Sequence, residues 1–255
     1  MTDADKIKAF IDEKHPQHAT VLGAGSIGIE VSEALVDNNI DVTIVEQSGH
    51  VASPFDPEIT DIVAEELHKQ GVHVILNETV DEIRDNGHTL VLADGTIHET
   101  DMLFLGTGVQ PNSEIAGAAG INLSDDGHVI VDHHLQTNLP DIYAIGDVIE
   151  TTSLITGKPI PSLLSSAANR QGHLLADILN GSPLEYKGFI SAGVSKFFDL
   201  TASFVGFTEQ TLQQLGITNY KTVFITPFDR AYFYPNADRV NFKLIYEDKT
   251  GKIPV

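Results

Sequence analysis

The first hundred residues alternate short apolar runs with stretches whose apolar residues recur at helical spacing. The apolar runs, which predict buried strands, lie at residues 19–22, 42–45, 72–76 and 102–105. The helical stretches between or before them lie at residues 3–14, 27–36 and 57–70. Because strands and helices alternate along the chain, this pattern predicts an α/β fold with a parallel sheet covered by helices.

Two later regions have different patterns. Residues 79–97 form short alternating segments with turns at 85–87 and 94–95, which predict an antiparallel meander. Further strands are predicted at residues 129–131 and 142–145, and a helix at residues 164–179 that stops at Asn180-Gly181. From residue 186 the chain becomes rich in Phe, Tyr and β-branched residues, which predicts a domain boundary there.

The helix after the second strand has recognisable ends. Asp56 is placed to cap its first turn, Pro57 suits the first helical position, and Gly71 follows its last turn. Its apolar stripe consists of Ile59, Ile62, Val63 and Leu67.

Composition narrows the functional classes. The chain of 255 residues has 15 Lys and Arg against 36 Asp and Glu, a formal net charge of −21, which disfavours nucleic acid and anionic membrane as partners. It contains no Cys, which excludes thiol catalysis, disulfides and Cys-ligated metals within these residues. No apolar run reaches the roughly 20 residues of a membrane span, and the acidic first residues do not resemble a signal peptide. We therefore expect a soluble, cytoplasmic protein.

The segment Gly23-Ala24-Gly25-Ser26-Ile27-Gly28 is a G-x-G-x-x-G motif between a predicted strand and a predicted helix. Gly23 permits the tight turn, Gly25 lets backbone approach a pyrophosphate, and Gly28 lets helix and strand pack closely. The following helix offers unpaired N–H groups to phosphates. The motif predicts a dinucleotide site.

Glu46 ends the next strand and discriminates between nucleotides. A carboxylate there accepts hydrogen bonds from adenosine ribose hydroxyls and repels a 2′-phosphate. Residues 47–50 contain no Arg or Lys, although His50 could assist a phosphate. We therefore expect NADH to be preferred to NADPH.

Other chemistries lack their residues. The chain has no Tyr followed four residues later by Lys, and no G-x-x-x-x-G-K-[ST], H-E-x-x-H or G-x-S-x-G. His133 and His134 are expected on a strand, pointing to opposite faces, and no metal site is predicted.

Several stretches, in this order, resemble the flavin-dependent pyridine nucleotide–disulfide oxidoreductases. They are ATVLGAGSIGIEVSEAL, VTIVEQ, LFLGTGVQPN, HVIVDHHLQTNLPDIYAIGDVIE and SSAANRQGHLLADIL, and the tail SAGVSKFFDLTASFVGFTEQTLQQLGI resembles the family's dimerisation domain. The branch most similar is that of the coenzyme A-disulfide reductases, NADH oxidases and NADH peroxidases. The resemblance implies hydride transfer from NAD(P)H to FAD, then to a disulfide, oxygen or peroxide.

The resemblance implies roles for individual residues. The NAD-binding residues would be Gly23, Gly25, Ser26, Ile27, Gly28, Glu30, Glu46 and Gly108. The residues that contact FAD would be Gly146, Asp147, Leu164 and Ala167. Tyr234, in a Tyr-Pro pair, is a candidate near a partner subunit's active site, although packing is the favoured role.

The resemblance also implies four regions and a homodimer. They are a linker helix (1–16), an NAD(P)-binding Rossmann-like domain (17–112), the C-terminal portion of an FAD-binding domain (113–185) and a partial dimerisation domain (186–255). The family's other glycine fingerprint, its redox cysteine and the aromatic residue usual at Ser26 do not occur. We therefore expect a fragment that binds NADH and is catalytically silent by itself, with FAD in the complete parent.

Two other functions stay open at this stage. One is a stand-alone nucleotide-binding sensor or interaction module without redox activity. The other is an ordinary NAD-dependent dehydrogenase with residues 186–255 as its substrate domain, although this segment lacks an evident acid–base constellation.

Overall fold

A computed structural model describes residues 2–53, 55–161 and 163–253 of the chain. They form two units. The first comprises the residues up to Gly108 together with Val194–Ser203, and the second comprises Val109–Gly193 together with the residues from Phe204 onward.

The first unit is built on a four-stranded parallel sheet. Its helices and strands, in chain order, are α1 (Thr2–Lys14), β1 (His18–Leu22), α2 (Ser26–Asp37), β2 (Asp41–Glu46), α3 (Pro57–Lys69), β3 (His73–Leu76), β4 (Val80–Arg84), β5 (Thr89–Leu92), β6 (Ile97–Glu99) and β7 (Met102–Leu105). The parallel sheet has the order β3-β2-β1-β7. This confirms the predicted α/β class.

The central strand β1 explains why the sheet forms where the apolar runs predict. Four of its five residues are buried, and it pairs in parallel register with β2 on one side and β7 on the other. Leu22 is opposite both Val45 and Leu105, so the three strands end at the same edge. Helix α2 buries Ile29 and Leu35, in keeping with its apolar stripe.

The meander is confirmed as an antiparallel sheet of β4, β5 and β6. Leu90 and Leu92 of β5 pack with Leu22 and Val45 of the parallel sheet in one buried cluster. The short turn between β4 and β5 is a 3₁₀ turn at Asp85–Gly87. The meander therefore shares a core with the strands that carry the glycine motif.

The second unit has short elements around a small core. They are α4 (Glu114–Ala118), β8 (Val129–Ile130), β9 (Ile149–Thr152), β10 (Pro159–Pro161), α5 (Ser165–Leu179), α6 (Glu209–Gln214), β13 (Tyr220–Ile225) and β14 (Phe242–Glu247). The strands form one sheet of order β10-β9-β8 and one antiparallel pair, β13 with β14. Val129, Leu135, Ile149 and Tyr186 form the buried centre.

Strands β11 (Ala192–Phe197) and β12 (Leu200–Val205) form a hairpin. Its tip, from Val194 to Ser203, belongs to the first unit. The tip buries two adjacent aromatic side chains, Phe197 and Phe198.

Some predicted elements need correction. Residues 142–145 are not a strand, because only Tyr143 forms an isolated bridge, with Gln136, and a 3₁₀ turn follows at Gly146–Val148. Strands β9 and β10 and helices α4 and α6 were not predicted, since each is too short to show a period. Asp56 occupies the position before α3, but its side chain makes no capping hydrogen bond. No helix within the described ranges is long and apolar enough to cross a membrane.

Candidate functional site

The glycine motif forms the turn between β1 and α2, and two of its glycines allow backbones to meet. Gly23 has a φ of 99°, and a Cβ there would lie 2.5 Å from the carbonyl oxygen of Gly106. A Cβ on Gly28 would lie 2.0 Å from the carbonyl oxygen of Gly23. Any side chain at either position would push apart the strands and the helix that define the turn.

Gly25 is different, because it lies beside open space. It immediately precedes α2 with a φ of −71° and a ψ of 178°, and a Cβ there would meet no atom within 4 Å. No side chain caps the helix at this point. The N–H groups of its first turn, including those of Ser26 and Ile27, therefore stay available to a ligand. Ile27 is 54% exposed beside them.

Glu46 ends β2 and holds the glycine turn directly. One carboxylate oxygen accepts a hydrogen bond from the backbone N–H of Ala24 at 2.7 Å. The other accepts from the N–H of Ser48, also at 2.7 Å. Each carboxylate oxygen has two lone pairs, so each retains one acceptor position for a hydroxyl group. The sequence predicted the ligand role of this residue and missed its backbone role.

The loop after Glu46 lies against the glycine turn. The N–H of Ala52 donates to the carbonyl oxygen of Ala24 at 2.8 Å, and Val51 and Ala52 are buried. His50 is partly buried, and its Nδ1 lies 3.4 Å from the carbonyl oxygen of Val51. The loop offers no Lys or Arg next to Glu46.

The two remaining residues expected at the NAD site lie in the same unit. Glu30 is exposed on α2, and among the described residues its carboxylate has no hydrogen-bond partner. Gly108, with a φ of 111°, ends the turn after β7, where the N–H of Gly106 donates to the carbonyl oxygen of Leu22 at 2.8 Å. All the residues expected to bind NAD thus belong to the first unit. Glu46 ends β2, and the glycine turn and Gly108 follow the ends of β1 and β7 at the same edge of the sheet.

The residues expected to contact FAD lie in the second unit. Gly146 and Asp147 begin a 3₁₀ turn, and Asp147 is exposed. Leu164 immediately precedes α5 without a side-chain cap, and Ala167 is buried in its first turn. A Cβ on Gly146 would lie 3.9 Å from that of Ala168, so the 3₁₀ turn lies next to the start of α5.

A buried amide fixes this arrangement, and sequence reasoning missed it. Gln171 is fully buried, and its Oε1 accepts from the N–H of Gly146 at 2.7 Å. Its Nε2 donates to the hydroxyl oxygen of Tyr186 at 3.1 Å, and the N–H of Tyr186 donates to the carbonyl oxygen of His133 at 2.7 Å. The only sequence signal was a polar residue on the inner side of the helix predicted at residues 164–179.

The structure also gives the positions of His133, His134 and Tyr234, which the sequence analysis singled out. His133 and His134 lie in a turn rather than on a strand, which corrects that part of the argument. His133 is exposed, and its Nδ1 lies 3.2 Å from the carbonyl oxygen of Tyr186. Tyr234 is 59% exposed in the second unit, next to Phe233, whose ring centre lies 5.3 Å from its own.

The family follows from comparison with known proteins. Residues 1–172 match the family model of the pyridine nucleotide-disulphide oxidoreductases, and residues 193–254 match the model of that family's dimerisation domain. The chain belongs to the pyridine nucleotide-disulphide oxidoreductases. Membership of this family implies the use of FAD and a nicotinamide nucleotide.

Relatives and solved structures agree with this placement. The chain is 30% identical to a coenzyme A disulfide reductase of Staphylococcus epidermidis, over 99% of the chain and 57% of that protein. It superposes on the reduced CoADR-RHD of Bacillus anthracis with a TM-score of 0.96 and 42% identity, covering 99% of the chain and 45% of the other. It superposes on the NADH-bound water-forming NADH oxidase of Lactobacillus brevis with a TM-score of 0.86 and 28% identity, covering 94% of the chain and 54% of the other. The chain thus spans about half the length of these relatives.

Proposed function

We propose that this chain binds NADH at the glycine turn and Glu46, as the nucleotide-binding portion of an FAD-dependent oxidoreductase. The observation that carries the proposal is Gly25, where the backbone before α2 faces open space between glycines that admit no side chain. Such a turn lets the backbone contact a pyrophosphate, and the N–H groups of the following helix favour its negative charge.

The residues present fit the adenosine side of the nucleotide. Glu46 lies at the end of the strand next to β1, and each carboxylate oxygen keeps an acceptor position beyond its backbone bond. Ribose hydroxyls are donors that match these positions. A 2′-phosphate would bring negative charge to this carboxylate, and residues 47–50 provide no Lys or Arg to offset it. These features support NADH over NADPH.

The second unit fits part of a flavin site. Asp147 is exposed, and within the described ranges its carboxylate has no hydrogen-bond partner, so it is available to accept from ribityl hydroxyls. The first turn of α5, which follows Leu164 and contains Ala167, offers N–H groups that suit a flavin ring on which reduction builds negative charge. When bound, FAD supplies a two-electron carrier between a nicotinamide and the final acceptor.

The complete activity is also a proposal. The relatives named above include a coenzyme A disulfide reductase and a water-forming NADH oxidase, so a disulfide or oxygen as the final acceptor is in keeping with them. These 255 residues contain no cysteine, so they contribute no thiol to disulfide reduction. We propose the homodimer of the family as the assembly, on the match of residues 193–254 to the dimerisation-domain model.

Calorimetric titration of the purified chain with NADH and then NADPH tests the proposal. We expect saturable binding of NADH and at least about tenfold weaker binding of NADPH, a difference of about 1.4 kcal/mol. Binding of neither nucleotide, or equal binding of both, would contradict it.

A variant and a matched control assign the preference to a residue. Glu46→Gln removes the charge and leaves one oxygen for two backbone donors, so we expect weaker NADH binding and a smaller preference over NADPH. Asp41→Asn makes the same change of charge at the opposite, exposed end of β2 and should leave both affinities unchanged. If Asp41→Asn reduces the preference for NADH as much as Glu46→Gln does, net charge and not the strand-end carboxylate sets the preference.

A further inference from the structure

The tip of the β11–β12 hairpin is held by a carboxylate on the helix of the glycine motif. Glu33 of α2 accepts a hydrogen bond from Nζ of Lys196 at 2.8 Å and from the backbone N–H of Phe198 at 3.0 Å. The bond from Lys196 and the bond from Phe198 keep the pKa of Glu33 below its usual value, against the opposing effect of burial. Lys196 is 68% exposed, so its ion pair contributes little, and the bond to the backbone is the more specific contact.

An aromatic contact links the same tip to the loop after β2. The ring of Phe197, which is 1% exposed, meets the ring of Phe55 edge to face with centroids 6.3 Å apart and an interplanar angle of 84°. Edge-to-face pairs of this kind are favourable beyond the area they bury. Phe197 therefore packs against Phe55, which follows His50 by five residues in that loop.

Two backbone hydrogen bonds continue from Phe55 to the glycine turn. The N–H of Phe55 donates to the carbonyl oxygen of Ala52 at 3.1 Å, and the N–H of Ala52 donates to that of Ala24 at 2.8 Å. Ala24 is the residue whose own N–H is held by Glu46. A continuous series of contacts thus joins the hairpin tip to the backbone that precedes Gly25.

Two residues of these contacts lie in the left-handed region, Ala52 in the middle of the series and Phe198 at its hairpin end. Ala52 and Phe198 each have a φ of 53°, which is uncommon for residues with a side chain. Such conformations persist when surrounding contacts determine them. Ala52 is 1% exposed and makes two of the hydrogen bonds described above, and Phe198 is 6% exposed and makes one.

We propose that Phe197 is a positioning residue for the nucleotide site: through Phe55 and Ala52 it holds the loop after β2 against the glycine turn. The proposal rests on the nucleotide binding proposed above and adds a residue about 170 positions away along the chain. It acts through packing and does not touch the nucleotide. Without it, the loop samples other positions, and the nucleotide must order the loop when it binds.

The test is a double-mutant cycle with Phe55→Leu, Phe197→Leu and the pair. The dissociation constant of NADH is measured by calorimetry at a temperature where circular dichroism shows every variant folded. We expect each single variant to weaken binding about three- to tenfold, and the pair to weaken it by less than the product of the two. Phe224→Leu, at a 41% exposed position on β13, is the matched control and should not change the affinity.

A second readout does not require nucleotide. Hydrogen exchange at the amide of Ala52, measured on the free protein, should be faster in Phe197→Leu than in the wild type, and unchanged in Phe224→Leu. If exchange at Ala52 is unchanged, or if folded Phe197→Leu binds NADH as the wild type does, the proposal is wrong. If the wild type fails to bind NADH, the proposed function fails, while exchange at Ala52 still decides whether the tip holds the loop.

Glu33→Ala covers the case in which Phe197→Leu does not fold. It removes both the ion pair with Lys196 and the acceptor for the N–H of Phe198. We expect a smaller increase in exchange at Ala52 than Phe197→Leu would give, and a loss of NADH affinity of about twofold. No increase in exchange and unchanged affinity would overturn the role of the tip.

Discussion

Substituting Gly25 separates the proposed nucleotide binding from folding. Its φ of −71° and ψ of 178° suit an alanine, and the added Cβ would meet no atom within 4 Å. Gly25→Ala therefore introduces no clash in the free protein. The same methyl group would stand where the backbone is proposed to meet the pyrophosphate.

Two opposing effects set the stability of Gly25→Ala. Alanine restricts the unfolded chain and stabilises by about 0.4–1 kcal/mol at a compatible position. Alanine is also a poorer residue than glycine just before a helix, which costs about the same amount. We therefore expect a net change within about 1 kcal/mol, which corresponds to a shift in Tm of about 2–4 °C at most for a chain of this size.

The affinity for NADH should respond much more strongly. We expect Gly25→Ala to weaken binding at least about tenfold, or about 1.4 kcal/mol, because the methyl group displaces the phosphates from the first-turn N–H groups. Calorimetry measures the affinity, and thermal unfolding of the same samples measures the stability. Wild-type affinity in the folded variant would refute the placement of the pyrophosphate over Gly25.

Gly28→Ala is the contrasting variant. Its Cβ would lie 2.0 Å from the carbonyl oxygen of Gly23, so the helix and the turn would have to separate. We expect this variant to lose stability whether or not nucleotide is present. A stable Gly28→Ala would show that α2 can move away from β1, and would weaken the argument from close packing.

Two further predictions concern polar groups outside the nucleotide site. Gln171→Leu leaves the N–H of Gly146 without its acceptor and should cost about 1–3 kcal/mol in unfolding free energy, whereas Tyr186→Phe should cost less; equal costs would contradict the role of the amide oxygen. Burial, together with nearby His73 and His18, lowers the pKa of His98 against the opposing charge of Glu99. Because the unfolded state then binds the proton more tightly, stability should fall as the pH drops below about 6.5, and His98→Gln should show a shallower fall in Tm over that range.

The first unit was predictable from sequence because its elements are long and periodic. Apolar runs placed β1, β2, β3 and β7, and the glycine motif identified the turn between β1 and α2. Each of these signals is local, since a buried parallel strand is continuously apolar and a tight turn requires glycine. The prediction of a strand at residues 142–145 was wrong because an apolar run of four residues does not distinguish a strand from an irregular segment.

The contacts that organise both units were not predictable, because they join residues far apart in the chain. Gln171 contacts Gly146, 25 residues earlier, and Lys196 contacts Glu33, 163 residues earlier. Neither a buried glutamine nor an exposed lysine belongs to a periodic pattern or a motif from which its partner can be predicted. The sequence therefore predicted candidate ligand-binding residues and missed the residues that hold their surroundings in place.

Glu46 shows why candidate ligand-binding residues and the residues that hold the backbone in place cannot be treated separately. The carboxylate proposed to select NADH also holds the N–H groups of Ala24 and Ser48. Replacing it with a small neutral residue to admit a 2′-phosphate would leave both donors without an acceptor, at a cost of about 1–3 kcal/mol each where they are shielded from water. A change of preference to NADPH therefore requires new acceptors for these two groups as well as a new positive charge. The proposed nucleotide selectivity and the order of the glycine turn thus depend on the same side chain.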